Sequence, residues 1–251
     1  MSEGPSVVGR SAALLRELSR HTADGATTTT AARGAGVPRA TAHRLLEALA
    51  VEGLVDRDAR TGHWFLGPEI YVLGRAATAR YDVTEEARSS VLRLARETGE
   101  SAFFSVRRAD EVVVLLREDG DFPIRSYVLY EGARFPLGTV SAGIAVLAHL
   151  PDAEVDAYLA RADLVGRWGR EFSDDAVRGR LAATREDGWS LNPGLIVEGS
   201  WGMAAAVFTA SGTPEYALTI TGIEPRFRRE RQAALGRLLL EETHRLTRSM
   251  R

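Results

Sequence analysis

Arg39, Thr41, His43 and Arg44 crowd the start of a helical pattern that opens at Pro38, ahead of its first acid, Glu47. Two guanidiniums and short polar donors at the front of a helix suit the groove of duplex DNA. An arginine bonds a guanine edge bidentately, worth about 1–3 kcal/mol of discrimination, or simply holds a phosphate. Thr41 is of a length to reach a phosphate oxygen or a thymine methyl. A solvated helix face with no specific task carries the same charge pattern. The surrounding elements therefore decide between the two readings.

Those elements are legible. Val8, Ala12, Leu15 and Leu18 fall near the spacing of one buried helical face, predicting a helix over 7–21. A Gly- and Thr-rich loop follows, then a short helix over 30–35 with Thr29 as N-cap and Gly36 as terminator. Pro38 fits the first turn of the next helix. Ala42, Leu45, Leu46 and Leu49 form its apolar stripe, which leaves Ala40, His43, Arg44 and Glu47 outside and Arg39 and Thr41 on the flanks. Gly53 ends it. Residues 54–58 and 63–66 read as strands joined by the turn Ala59-Arg60-Thr61-Gly62. Helix, helix, turn, helix and hairpin make a winged helix-turn-helix. On this reading Thr28 and Thr29 are placed to hold phosphate, although capping alone explains Thr29. Arg57, Arg60, Thr61 and His63 fit a wing grazing the minor groove, or equally a plain exposed hairpin.

A linker helix begins at Pro68 and runs to about residue 79, with a break at Tyr81-Asp82. This divides the chain into a DNA-binding domain (1–67), a linker helix (68–81) and a second domain (82–251). Asp82 and Glu85 resemble a capping pair for a helix to about residue 98. Beyond it, 102–106 and 112–117 form a strand hairpin, 124–130 a third strand, and 204–209 with 216–221 a second hairpin. Helices are expected over 140–150, 153–162, 174–187 (capped by Ser173) and 226–249. Strand pairs interspersed with helices indicate an α+β fold on a largely antiparallel sheet.

Composition excludes several classes of function. The net charge is −2, so DNA contact must come from a local patch rather than a global field. All 32 basic residues are arginine, which rules out lysine Schiff bases and P-loop lysines. There is no cysteine, hence no disulfide or thiolate ligand. His21, His43, His63, His149 and His244 show no metal-ligand spacing. Gly-x-Ser-x-Gly, Walker and GxGxxG patterns are absent. No catalytic residue, metal or cofactor is expected. Neither a signal peptide nor an apolar run of about 18 residues is present; the expectation is a cytoplasmic protein with no membrane partner.

The Pro-Arg-Ala-Thr-Ala-His-Arg-Leu-Leu run at 38–46, Glu-Gly-Leu-Val at 52–55, and Phe65-Leu66-Gly67-Pro68 resemble the IclR family of bacterial transcriptional regulators. The second half extends the likeness through Phe135-Pro136-Leu137, Ser141-Ala142-Gly143, Leu150-Pro151, Gly188-Trp189, Glu198-Gly199 and Ala217-Leu218-Thr219-Ile220-Thr221-Gly222. The resemblance implies a GAF-like effector domain and a homodimer, or a homotetramer as a pair of dimers. It also implies a regulator, a repressor in preference to an activator although the sequence does not separate the two, that alters its DNA affinity on binding a small organic acid. As a dimer it is expected to read a pseudo-palindromic double-stranded operator. The effector pocket is then expected between the sheet and the 141–143 helix start, whose free N–H groups suit a carboxylate. Matching motifs residue by residue places Ser141, Ala142, Gly143, Asn192, Gly202, Thr219 and Thr221 there, with Trp201, Tyr127 and Leu129 in the same set. Asn192 stands where relatives often carry an acid, Gly202 where some carry cysteine, and Ile144 where lysine is common. These departures make the pocket more neutral and more apolar, favouring an aromatic or branched acid. Two other readings stay open: Trp201, Thr219 and Thr221 as plain sheet-core residues, and an α+β domain that is itself an enzyme or sensor, its winged helix serving protein association.

Overall fold

The computed structural model describes residues 6–78 and 83–250. The chain divides into two compact units, Met1–Tyr81 and Asp82–Arg251. The break expected at Tyr81-Asp82 and the capping role of Asp82 lie outside the described residues.

In the first unit, α1 (Val7–Leu18) starts where the Ser6 side chain accepts from the Gly9 N–H. Helix α2 (Thr28–Gly34) is capped by Thr27, whose hydroxyl accepts from the Thr30 N–H at 3.1 Å. The cap is therefore Thr27 rather than Thr29; the helix starts two residues before the expected 30. In a run of four threonines, type alone cannot select the one with extended backbone, and Thr27 has it (φ −67°, ψ 157°). Gly36 adopts φ +63°, the left-handed turn that lets the chain double back into α3 (Arg39–Val51). Ala42, Leu46 and Leu49 of α3 are buried with Leu14, Leu18, Ala31, Val55 and Trp64 in one core. Strands β1 (Val55–Arg57) and β2 (Trp64–Leu66) pair antiparallel as the wing, and α4 (Pro68–Thr78) follows.

The second unit opens with α5 (Val83–Thr98) and the hairpin β3 (Ser101–Arg108) and β4 (Glu111–Glu118). Strand β5 (Arg134–Pro136) leads to α6 (Ser141–Ala148), α7 (Asp152–Arg161), the short α8 (Leu164–Trp168) and α9 (Asp174–Asp187). Ser173 caps α9 as expected, accepting from the Ala176 N–H. Then come β6 (Ser190–Pro193), β7 (Ser200–Phe208), β8 (Pro214–Ile223), a 3-10 turn (Glu224–Arg226) and α10 (Arg229–Ser249). The six strands form one antiparallel sheet ordered β5-β4-β3-β8-β7-β6. One face packs Phe104, Leu116, Met203, Leu218 and Ile220 against α5 and α10; the other packs Val112, Ala204 and Ala217 against α6 and its neighbours. Covered on both sides, β3 and β8 are buried almost throughout, which is why they read as apolar runs with little alternation.

The strand expected over 124–130 does not form. The Val114 N–H donates to the Ala133 carbonyl, the Val114 carbonyl accepts from Gly132, and β5 pairs with residues 111–113 of β4. The open edge of β4 is thus taken by residues 132–136, and the β-branched and aromatic character of 124–130 finds no ladder partner. Beta propensity reports a fit to a half-buried surface, not pairing itself. The C-terminal helix begins at Arg229 rather than 226, because Pro225 sits in the 3-10 turn.

Candidate DNA-reading face and effector cavity

Arg39, Ala40, His43 and Arg44 are exposed on α3, with Thr41 half-buried beside them. The Arg39 Nε donates to the Thr29 hydroxyl at 3.2 Å, which aims the guanidinium while leaving its other donors free. Arg44 makes no hydrogen bond or ion pair among the described residues. It lines a cleft of about 290 Å³ with Thr41, Leu45 and, from α1, Val7 and Arg10. The wing turn is built by Asp58, whose carboxylate accepts from the Thr61 N–H and hydroxyl at 2.6 and 2.8 Å and from the Arg60 N–H. The Thr61 backbone bond above all, then its hydroxyl, holds the Asp58 carboxyl below the usual carboxylate range. Thr61 is therefore committed to the turn, and the His63 Nδ1 is engaged by the Asp24 carbonyl at 2.8 Å. The Thr28 hydroxyl accepts from the Trp64 indole N–H at 3.0 Å. Thr28, Thr61 and His63 thus shape the face, whereas Arg39, Thr41, His43 and Arg44 present it. Sequence reading passed over Trp64; one aromatic in a three-residue strand gives no sign that it will organise three elements.

The second unit holds a cavity at the start of α6. Its volume is about 30 Å³, or about 300 Å³ with the solvent-open mouth. Ser141, Asn192, Trp201, Gly202, Thr221 and Leu129 all line it, as their sequence placement anticipated. Val128, Val140, Ile196 and Ser200 complete the wall. Three of these flank residues already singled out; Ile196 carried no signal. Gly202 is what leaves the space: a Cβ there would lie 3.2 Å from the Ser141 hydroxyl and 3.4 Å from Thr221 Cγ2. The Thr221 hydroxyl is buried without a partner, and so is that of Thr219.

Four residues expected at the cavity, Tyr127, Ala142, Gly143 and Thr219, do not line it. Tyr127 is 73% exposed and packs under the Arg117 guanidinium at 5.3 Å, outside the cavity, because its segment is not a strand and does not lie flat on the sheet. Ala142 and Gly143 do not line the cavity; Ala142 points into the core, 2% exposed. Thr219, 1% exposed, lies beneath the wall rather than in it. Asn192 faces the cavity, but its amide donates to the Thr139 carbonyl and its oxygen accepts from the Leu195 N–H, each at 2.9 Å. It frames the site, tying the loop before α6 to the loop after β6.

The loop before α6 is fixed twice more. The Gly138 N–H donates to the Tyr158 hydroxyl at 2.9 Å, and burial pushes that phenol up to about 12. A Cβ at Gly143 would fall inside the van der Waals shell of the Leu137 carbonyl, with Leu137 Cα at 2.7 Å. Gly143→Ala is therefore expected to push α6 off this loop and cost about 1–3 kcal/mol, read as a lower denaturant midpoint. A midpoint equal to wild type would show that the approach relaxes freely. The α6 N-terminus has no side-chain cap, so its first-turn N–H groups remain available to an anion.

A winged helix-turn-helix followed by an α+β unit is the architecture of a DNA-binding transcriptional regulator. The IclR helix-turn-helix domain matches residues 7–59, and the bacterial transcriptional regulator IclR C-terminal domain matches residues 75–248. The chain belongs to the IclR family of bacterial transcriptional regulators. It is 30% identical over 191 residues to the glycerol operon regulatory protein of Streptomyces griseus, spanning 74% of this chain and 73% of that one. The transcriptional repressor IclR of Escherichia coli is 24% identical over 218 residues, covering 86% and 80%. Among solved structures, an IclR transcriptional regulator from Alicyclobacillus acidocaldarius superposes with a TM-score of 0.79 at 23% identity, over 99% of this chain and 100% of that one. An IclR homolog from Microbacterium hydrocarbonoxydans, complexed with 4-hydroxybenzoate, gives 0.76 at 21% identity, over 98% and 99%. No helix among the described residues is long and apolar enough to cross a membrane.

Proposed function

We propose that this protein is a repressor that binds a pseudo-palindromic operator through α3 and the wing and is released by a small aromatic organic acid. The observation carrying the DNA half is the exposed, cation-bearing outer face of α3, in which Arg44 has no partner among the described residues. One modest patch binds DNA poorly, so a homodimer, or a pair of dimers, supplies two half-sites. Exposed apolar residues support self-association: Val7 and Val8 on α1, and Tyr71, Val72 and Leu73 on α4, each more than half exposed. Selection of duplexes from a random pool should enrich a pseudo-palindrome with half-sites about 10–10.5 base pairs apart. Binding without any sequence preference would instead favour a winged helix used for protein association.

The effector half rests on the cavity. Trp201, Leu129, Ile196 and Val128 offer apolar and aromatic wall, while Ser141 and Thr221 offer polar contacts. An aromatic carboxylate matches that division, and the Microbacterium homolog's 4-hydroxybenzoate lends it support. The cavity must widen to take such a ligand. The wall that would have to yield is the 124–130 segment, which joins no strand and is held by Leu129 in a small core with Phe103 and Val114 and by a 2.5 Å hydrogen bond between the Ser126 and Ser200 hydroxyls. A ligand that prefers the widened state shifts the equilibrium by its differential affinity alone, and about 1–3 kcal/mol of coupling suffices to switch operator binding. The protein acts by binding rather than turnover.

Thr221→Val tests the assignment. A buried hydroxyl without a partner costs about 1–3 kcal/mol, so the near-isosteric variant should melt higher than wild type without ligand. It should also show a smaller thermal shift with 4-hydroxybenzoate and related acids. A lower melting temperature, or ligand shifts equal to wild type across the acid panel, would remove Thr221 from the site.

A further inference from the structure

We infer that Glu47 is a specificity-determining residue of the DNA-reading face, holding Arg57 of the wing back from indiscriminate phosphate contact. Glu47 is the only acid of α3 and lies on its outer face, 54% exposed at the side chain. Its Oε1 sits 3.5 Å from the Arg57 Nη1 and 3.8 Å from the His43 Nδ1. One carboxylate oxygen therefore bridges the reading helix and the wing. Beneath it lies the Trp64 ring, 1% exposed. The Arg57 guanidinium stacks over this ring at 5.2 Å, and the His43 ring meets it edge-on at 6.5 Å. The Arg57 Nε also donates to the Gly62 carbonyl at 3.4 Å, closing the wing turn on the same guanidinium.

Exposed ion pairs are weak in water, so this arrangement contributes little to folding. Its consequence appears beside a polyanion. A carboxylate on the outer face of a reading helix repels phosphate, and while paired with Arg57 it cancels a cation that would otherwise add a sequence-independent contact. Each phosphate contact steepens the dependence of log K on log salt by about 0.9. Glu47 thus lowers affinity for any duplex and leaves discrimination to Arg39 and Arg44 on α3.

The inference rests on α3 being the DNA-reading helix, and the test separates the two. Wild type, Glu47→Gln, Arg57→Ala and the double variant, all as full-length protein, would be titrated by fluorescence anisotropy. The two probes are a random-sequence 30-base-pair duplex and a duplex selected for wild-type binding, each over a salt series. The expected result is that Glu47→Gln binds the random duplex roughly fivefold tighter per protomer near 0.1 M salt, with a slope steeper by about 0.9 per protomer. The selected-to-random ratio should fall. In the Arg57→Ala background Glu47→Gln should not steepen the slope, since the released cation is gone. Random-duplex affinity and slope unchanged in Glu47→Gln would overturn the inference. So would weaker binding confined to the selected duplex, which would make Glu47 a direct base contact. If Arg39→Ala with Arg44→Ala also binds both duplexes like wild type, the assignment of α3 fails as well.

Discussion

Arg39→Ala combined with Arg44→Ala is expected to lower affinity for the selected operator by on the order of 100-fold or more at low salt, without lowering the melting temperature. Both guanidiniums lie on the exposed outer face of α3, and the stripe that holds the helix in its core, Ala42, Leu46 and Leu49, is untouched. Alanine is also the better helix former by a few tenths of a kcal/mol. Arg39 gives up one hydrogen bond to Thr29, and the Thr30 N–H remains capped by Thr27. On DNA the balance reverses. A bidentate guanine contact is worth about 1–3 kcal/mol, each phosphate contact adds to the salt slope, and the proposed dimer would lose every contact twice. Gel-shift titrations at two salt concentrations measure both effects. Operator affinity equal to wild type would remove α3 as the reading helix.

The second large effect is expected at Glu100, just before β3 in the second unit. Its side chain is 1% exposed, and its Oε1 accepts from the Arg226 Nε and the Arg231 Nη1, both at 2.7 Å. Both arginines also donate to the Thr98 carbonyl, and Arg226 stacks over Phe122 at 4.4 Å. One carboxylate therefore ties the start of β3 to the 3-10 turn and the first turns of α10. Glu100→Ala would leave two partly buried cations sharing a carbonyl, and breaking a buried pair from one side costs about 3–5 kcal/mol. Urea unfolding followed through Trp168, Trp189 and Trp201 should show the second unit losing stability by that amount. Glu100→Gln, which keeps an acceptor but no charge, should fall between. A midpoint within error of wild type for Glu100→Ala would mean that water replaces the carboxylate at no cost.

What could be read without the structure follows from how far each signal reaches along the chain. The winged motif was legible because its signals are short-range: Gly36 and Gly53 need left-handed backbone, the α3 stripe repeats within one helix, and the wing hairpin spans twelve residues. Ser173 before α9 is equally local. The 141–143 helix start and Gly202 were legible through a resemblance that covers both halves of the chain.

Register, by contrast, was decided in three dimensions. Whether 124–130 is a strand depends on which segment takes the free edge of β4, and residues 132–136 take it; that competition leaves Tyr127 outside and turns Val128 and Leu129 into cavity wall. Whether Asn192 meets a ligand or a backbone depends on Thr139, 53 residues earlier. The Glu100 contacts span 126 and 131 residues, and the bridge from Glu47 to Arg57 appears only when hairpin and helix share the Trp64 ring. By itself the sequence determined the winged motif, the long helices, the hairpins at 102–117 and 204–221 and the cation-bearing face of α3, because turn, cap and periodicity energies are set by neighbours in the chain. The edge strands β5 and β6 were left to the fold. The tertiary structure alone decided which polar groups are already spent on one another and which stay free to bind, because pairing depends on distances that folding sets.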